Sequence, residues 1–267
     1  MQGHGTTLGR LVLSVFTGLV LVFLIVPTLI IFPLSFSNRA YFVFPPPGWS
    51  TMWYAKLFAD ENYARAFLNS LKVGVPTVAL ATVLGTCAAL AVTRGSLPMR
   101  RAAQMLIVAP LMLPEIVYAT GAYPVMAKLR LAGTYLAVIL SHTVIAIPVV
   151  FITVSASLKS YRPTIEIAAR TLGANAWQAF RYVTLPMIRG GVIAGAVLAF
   201  TLSFDDLILS LFLASPITRT LPLLLWESLR YELTPLVTAA TSLILLCSLL
   251  FLGISASVQG AKREKAS

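Results

Sequence analysis

The chain has 267 residues, of which 58% are hydrophobic and only 11% charged, and its mean hydropathy is +0.87. That balance excludes a water-soluble globule of this size and indicates an integral membrane protein. The formal net charge of +11 is accounted for by membrane topology and lipid-headgroup contact, and no nucleic-acid partner is needed to explain it.

A spanning helix needs about 20 mostly apolar residues. Six such runs, at about 11–34, 67–92, 102–127, 134–157, 187–213 and 235–258, predict an all-α bundle of six transmembrane helices, with 1–267 forming a single transmembrane domain. The first run has no A-x-A-like cleavage site before "SFSNRAYFVF", so it reads as a retained anchor. With both termini in the cytoplasm, twelve basic residues fall on the inside, among them Arg10, Arg94, Arg170 and Lys262, and seven fall on the outside. The positive-inside rule favours that orientation. Cys87 and Cys247 lie inside predicted spans and read as small packing residues.

The outside segment from about 35 to 66 contains "PPPGWSTMWYAKLFAD", a rigid turn followed by a short helix capped by Ser50. Trp49, Trp53, Tyr54 and Phe58 suit the headgroup region of the bilayer. Lys72, near the end of the second span, is expected to snorkel to headgroups. Prolines 76, 110, 114, 124 and 148 interrupt the second, third and fourth spans; each removes a backbone donor, leaving carbonyls to be satisfied by neighbouring helices or by a hydrated cavity. Glu115, next to Pro114, either lines such a cavity or accepts donors freed by the kink. His142 reads as a hydrogen-bonded packing residue.

The longest inside connection, about 158–186, is "LKSYRPTIEIAARTLGANAWQAFRYVTLP". Pro163 opens a helix on which Ile165, Ala168, Ala169 and Leu172 form one apolar stripe. Glu166 and Arg170 pair at i, i+4 on another face, and Gly173 stops the helix. A second short helix with Ala176, Ala179, Phe180 and Val183 in the same spacing follows. The stripe covers either the chain's own bundle or another protein.

At this loop the sequence resembles the inner-membrane permease subunits of bacterial ABC importers, whose docking loop reads E-A-A-x3-G-x9-I-x-L-P. Ala168, Ala169, Gly173, Leu185 and Pro186 match in spacing, and Val183 stands for the isoleucine. The signature glutamate falls on Ile167, with Glu166 one residue earlier, about 100° around the helix. "LPEIV", "SHTVIAIPVV", "LAFTLSFDDLILSLFL" and "LTPLVTAATSLILL" resemble the polyamine-type branch, the spermidine/putrescine permeases. The resemblance implies a permease subunit of the bacterial inner membrane, without a catalytic site of its own. It would pair with a second permease, dock through a coupling loop between helices 4 and 5 (Glu166, Ala168, Ala169, Arg170, Gly173, Leu185 and Pro186) on a cytoplasmic ATPase dimer, and receive a small cationic nitrogen-containing solute from an external binding protein. The chain has no G-x-x-x-x-G-K-[ST] phosphate loop, so ATP and Mg are expected in the partner ATPase and no cofactor in this chain.

Two adjacent carboxylates, Asp205 and Asp206, sit in the fifth span, where each acid costs roughly 2.5–3.5 kcal/mol at a bilayer centre. On a helix Asp206 shares a face with Gly195, Ala199, Ser203 and Ser210. Asp206, Asp205, Glu115 and Ser203 are therefore candidates for a translocation path that offers negative charge to a cation. Alternatively, Ser203 and Asp206 form an S-x-x-D capping box at a break in the span. A self-sufficient ion-coupled carrier using these carboxylates is the rival reading.

Overall fold

A computed structural model describes residues 7–95, 98–231, 234–246 and 249. All regular structure among them is helical, apart from an isolated bridge between Ser37 and Trp49. Four helices are long and apolar enough to cross a membrane, and one sharply bent pair raises the number to five. The described residues fall into two compact units, one of residues up to 61 together with 227–247, the other built on 62–226.

In the first unit, α1 (Thr7–Ser35) is an apolar rod covering the first predicted span. The short helix predicted after the proline turn is α2 (Met52–Ala59), and Ser50 Oγ accepts the N–H of Met52 at 3.1 Å. The aromatic residues around it divide into two sets. Trp53 is buried and donates its indole N–H to the Ser37 carbonyl at 2.8 Å, and Tyr54 shares a 2.7 Å hydrogen bond with Ser35 Oγ. These two fasten α2 to the end of α1, and the burial of Trp53 corrects its reading as a headgroup anchor; Trp49 and Phe58 stay exposed. The helix Pro235–Leu246 covers the first half of the sixth predicted span. Apart from residue 249, the remainder of that span, with Cys247 and the basic residues from Lys262 onward, lies outside the described residues.

The second unit begins with α3 (Glu61–Arg94), which runs through Pro76 without a break. The third predicted span is two helices, α4 (Arg100–Met112) and α5 (Glu115–Lys128), bent by 101°. Pro114 makes the bend, because its ring excludes the helical region for the residue before it. Leu113 accordingly has an extended ψ of 137°. Pro110 and Pro124 remain inside their helices.

The fourth span is α6 (Tyr135–Lys159), capped by Thr134, whose side chain accepts the N–H of Ala137. It is the most enclosed helix of the unit, with buried residues from Ala137 to Leu158. The fifth predicted span is also broken, into α9 (Leu185–Phe204) and α10 (Ile208–Leu213). Between α6 and α9 lie α7 (Thr164–Thr171) and α8 (Ala176–Ala179). The second helix of the inside loop is not separate: α8 passes through a wide π turn at Phe180–Thr184 straight into α9. Pro186 supplies the reason, since its ring clashes with the carbonyl four residues earlier and a widened turn relieves that contact.

α6 and α9 pack antiparallel, Val150 meeting Gly195 and Ser157 meeting Gly191, with His142 reaching Ser203 near the far end. The backbones come so close that a Cβ on Gly195 would lie 3.1 Å from Val150 Cα, and one on Gly191 would lie 2.7 Å from Ser157 Cβ. Gly85 of α3 approaches Val150 from another side, where a Cβ would fall 2.7 Å from Val150 Cβ. Small residues at i, i+4 let helices meet in this way inside a bilayer. Cys87 points outward and is exposed, so it does not pack within the chain as expected.

Polar contacts close the two ends of this unit. At one end, Arg94 donates to the Leu158 carbonyl at 2.8 Å and lies 4.6 Å over the Tyr161 ring, capping α6. At the other, Asn69 donates to the carbonyls of Ile217 and Arg219 at 2.9 and 3.0 Å and accepts from Tyr135 Oη at 2.7 Å. The Lys72 ammonium sits 5.5 Å from the centre of the same tyrosine ring. The segment so fixed leads into α11 (Leu221–Tyr231), a helix of 11 residues, about half the length of a span.

Gly195→Leu and Gly85→Leu should each lower the stability of the detergent-solubilised protein by about 1–3 kcal/mol or more, the usual range for overpacking. Thermal unfolding followed by size-exclusion chromatography measures it; wild-type melting of both variants would show that the close approach is not needed.

Candidate functional site

The loop between the fourth and fifth spans is built from local rules. Gly173 adopts φ +98°, and the N–H groups of Gly173 and Ala174 turn back to the carbonyls of Arg170 and Ala169, a Schellman ending for α7. Asn175 and Gln178 then form a reciprocal capping box that starts α8, with both bonds at 2.9 Å. The predicted Glu166–Arg170 pair is present at 2.8 Å. Its other carboxylate oxygen accepts from buried Thr184 Oγ1 at 3.1 Å, a bond between α7 and the start of the fifth span that spacing alone does not reveal.

The one-residue displacement of the glutamate therefore has a geometric consequence. Glu166 is engaged within the chain, while Ile167, at the position where the importer signature has glutamate, is 60% exposed. No residue of α7 is buried. Ile165, Leu172, Trp177 and Tyr182 are also exposed, so the predicted stripe does not pack on the chain's own bundle.

About 30 Å away along the 20 residues of α9 lies the carboxylate pair. The pair splits: Asp205 is exposed and Asp206 buried. Asp206 Oδ1 accepts the N–H groups of Leu209 and Ser210 at 3.0 and 3.3 Å, satisfying the first donors of α10. Ser203 is still inside α9 and takes no part in a capping box; its hydroxyl bonds His142 Nδ1 at 2.9 Å. The cap is thus Asp206 alone, because the helix resumes only at Ile208.

His142 presents its other nitrogen, Nε2, 3.3 Å from Asp206 Oδ1, with both side chains almost wholly enclosed. Glu115, the first residue of α5, stands near Asp206, because α5 packs on α10. Of the path candidates, Asp206, Glu115 and Ser203 come together and Asp205 does not. His142 joins them, a residue the sequence placed only among packing side chains; the antiparallel register of α6 on α9 puts it opposite Ser203. Among the described residues no group of three His, Cys, Asp or Glu side chains is arranged to hold a metal ion.

Residues 81–263 match the family described as binding-protein-dependent transport system inner membrane component. The chain belongs to this family. It is 34% identical to the putrescine transport system permease protein PotI of Escherichia coli strain K12, over 84% of this chain and 82% of that one. It is 29% identical to the spermidine/putrescine transport system permease protein PotC of the same organism, over 91% of each. A bacterial ABC transporter involved in import of the acidic polysaccharide alginate shares the fold, with a TM-score of 0.73 at 16% identity, covering 97% of this chain and 98% of that chain. The protein is thus a membrane-spanning permease subunit of the ABC importer class, and the self-sufficient carrier is not favoured.

His142→Ala would leave buried Ser203 without its imidazole partner, a loss of about 1–3 kcal/mol. Chemical denaturation in detergent should show it; unchanged stability would mean that the imidazole contributes no net bond.

Proposed function

We propose that this chain, with a second permease, forms the inner-membrane pathway for a small cationic, nitrogen-containing solute of the polyamine class, delivered by an external binding protein. The observation that carries the solute class is the similarity to PotI and PotC, over most of each chain. The carboxylates fit it: Asp206, Asp205 and Glu115, with Ser203, line or support the path, and negative groups in a membrane interior suit a cation.

In this reading residues 1–267 act as one permease domain of six spans with both termini in the cytoplasm, the third and fifth spans being broken. The loop of α7 and α8 is the coupling element, docking on a cytoplasmic ATPase dimer that binds ATP and Mg. Exposed Ile165, Ile167 and Leu172 support a partner surface there, as do Ala168 and Ala169 on the same short helix. Arg170 and Glu166 brace that helix, Gly173 sets its exit, and Leu185 and Pro186 carry the displacement into α9. Closure of the ATPases then alternates access at the far end.

Gly173→Asp separates docking from folding, since a Cβ at Gly173 meets nothing within 4 Å and only the positive φ is penalised. Pull-down of the ATPase should fall several-fold while the membrane yield of the permease holds; an unchanged pull-down would contradict the docking role. Asp206→Asn keeps an oxygen that can cap α10 and removes the charge. Uptake of putrescine by the complete complex should drop more than the amount of assembled complex; equal losses would reduce Asp206 to a cap.

A further inference from the structure

Residues 159–184 hold one carboxylate, Glu166, and four basic side chains, Lys159, Arg162, Arg170 and Arg181, all four of them exposed. The carboxylate is spent inside the chain. Oε1 accepts from Arg170 at 2.8 Å and Oε2 from the Thr184 hydroxyl at 3.1 Å, which leaves the Glu166 side chain 20% exposed. Thr184 is buried, so its hydroxyl would lose that acceptor if Glu166 swung outward.

What this segment offers to another surface is therefore apolar and positive. Ile167 stands 60% exposed where the importer signature has glutamate, and Leu172, Trp177 and Tyr182 are more open still. Trp177 rests against Phe180, with ring centres 5.6 Å apart, and is propped outward without being covered. Clustered exposed apolar side chains mark contact with another protein. Basic side chains around them favour a partner of opposite sign.

We infer that α7 and α8 fit a cleft on the partner ATPase that is apolar where it faces Ile167 and acidic along its rim. This rests on the docking reading above and adds the chemistry of the receiving surface. A cleft built for the signature glutamate would present a cation or N–H donors at that point, because a carboxylate removed from water needs such partners. Set against Ile167, those groups would be buried and left unpaired. An apolar floor instead takes the isoleucine out of water at a gain. Arg162, Arg181 and Lys159 then attract acids at the edge, since the one carboxylate of the segment is already engaged by Arg170 and Thr184. The same mismatch makes the choice of ATPase selective, because a cleft shaped for a glutamate-bearing permease is penalised here.

The test titrates the ATPase dimer, purified from the wild-type complex, onto the full-length permease pair in nanodiscs of zwitterionic lipid and reads the fraction bound. Ile167→Leu should bind as the wild type does. Ile167→Glu should bind at least ten-fold more weakly. Ile167→Lys should lose less, because a lysine can extend to an acidic rim and a glutamate is repelled by it. Arg162→Glu combined with Arg181→Glu should weaken binding several-fold, and membrane yields should stay level because every substituted position is exposed. Ile167→Glu binding as tightly as the wild type, or more tightly, would overturn the apolar floor. Ile167→Lys losing more than Ile167→Glu would overturn the acidic rim. Gly173→Asp, run alongside, separates the two levels: if it weakens binding while Ile167→Glu does not, only the cleft chemistry falls, and if neither weakens binding, the docking reading falls as well.

Discussion

Inside a bilayer the lipid tails are as apolar as leucine, so burying hydrophobic side chains gives two helices little reason to associate. What joins α6 to α9 is backbone proximity, made possible where Gly191 and Gly195 face Ser157, Thr153 and Val150. Val150 is held from a second side by Gly85 of α3, so one valine is the hub of three helices. The wholly buried positions Val150, Val154, Leu158, Ile188 and Ala199 gather around that contact. Both candidate regions depend on it, because the loop of α7 and α8 and the carboxyl cluster stand at opposite ends of the same helix pair.

The ends are secured by polar chemistry of different kinds. Toward the loop between the fourth and fifth spans, Arg94 caps α6 and Glu166 reaches Thr184, so α7 is tied to the start of the fifth span while its apolar side chains stay uncovered. At the far end, His142 joins α6 to Ser203 of α9 and faces Asp206 across the break. A displacement of α7 would thus reach the break through one continuous helix, with the π turn before Pro186 as the place where its pitch changes. The break itself costs little backbone bonding, because Asp206 takes up the donors that α10 leaves free.

Much of this was legible in the sequence where a local rule decides the outcome. The Glu166–Arg170 pair, the Gly173 stop and the placing of α6 follow from spacing and turn chemistry alone. Runs of apolar residues were less informative about continuity. A hydropathy window cannot distinguish Pro114, which bends the third span by 101°, from Pro76 and Pro148, which leave their helices unbroken. The strip of Gly195, Ala199 and Ser203 was found by helical periodicity, but its meaning was not: these residues are buried on their face of α9, and the glycine packs against α6. His142 was missed as a site residue for a related reason, since its partners lie 61 and 64 positions away in sequence and only the antiparallel register brings them within reach.

The proposed coupling requires that α6 and α9 move as one rigid pair when partner ATPases close. Spin labels at Ile152 of α6 and Leu198 of α9, both on exposed faces, report on it in the complete complex by pulsed dipolar spectroscopy with and without trapped nucleotide. The account predicts a separation that changes by no more than about 2 Å, the scale of a small helix shift. A change of a full helical turn, about 5 Å, would show α9 sliding along α6 and would contradict it.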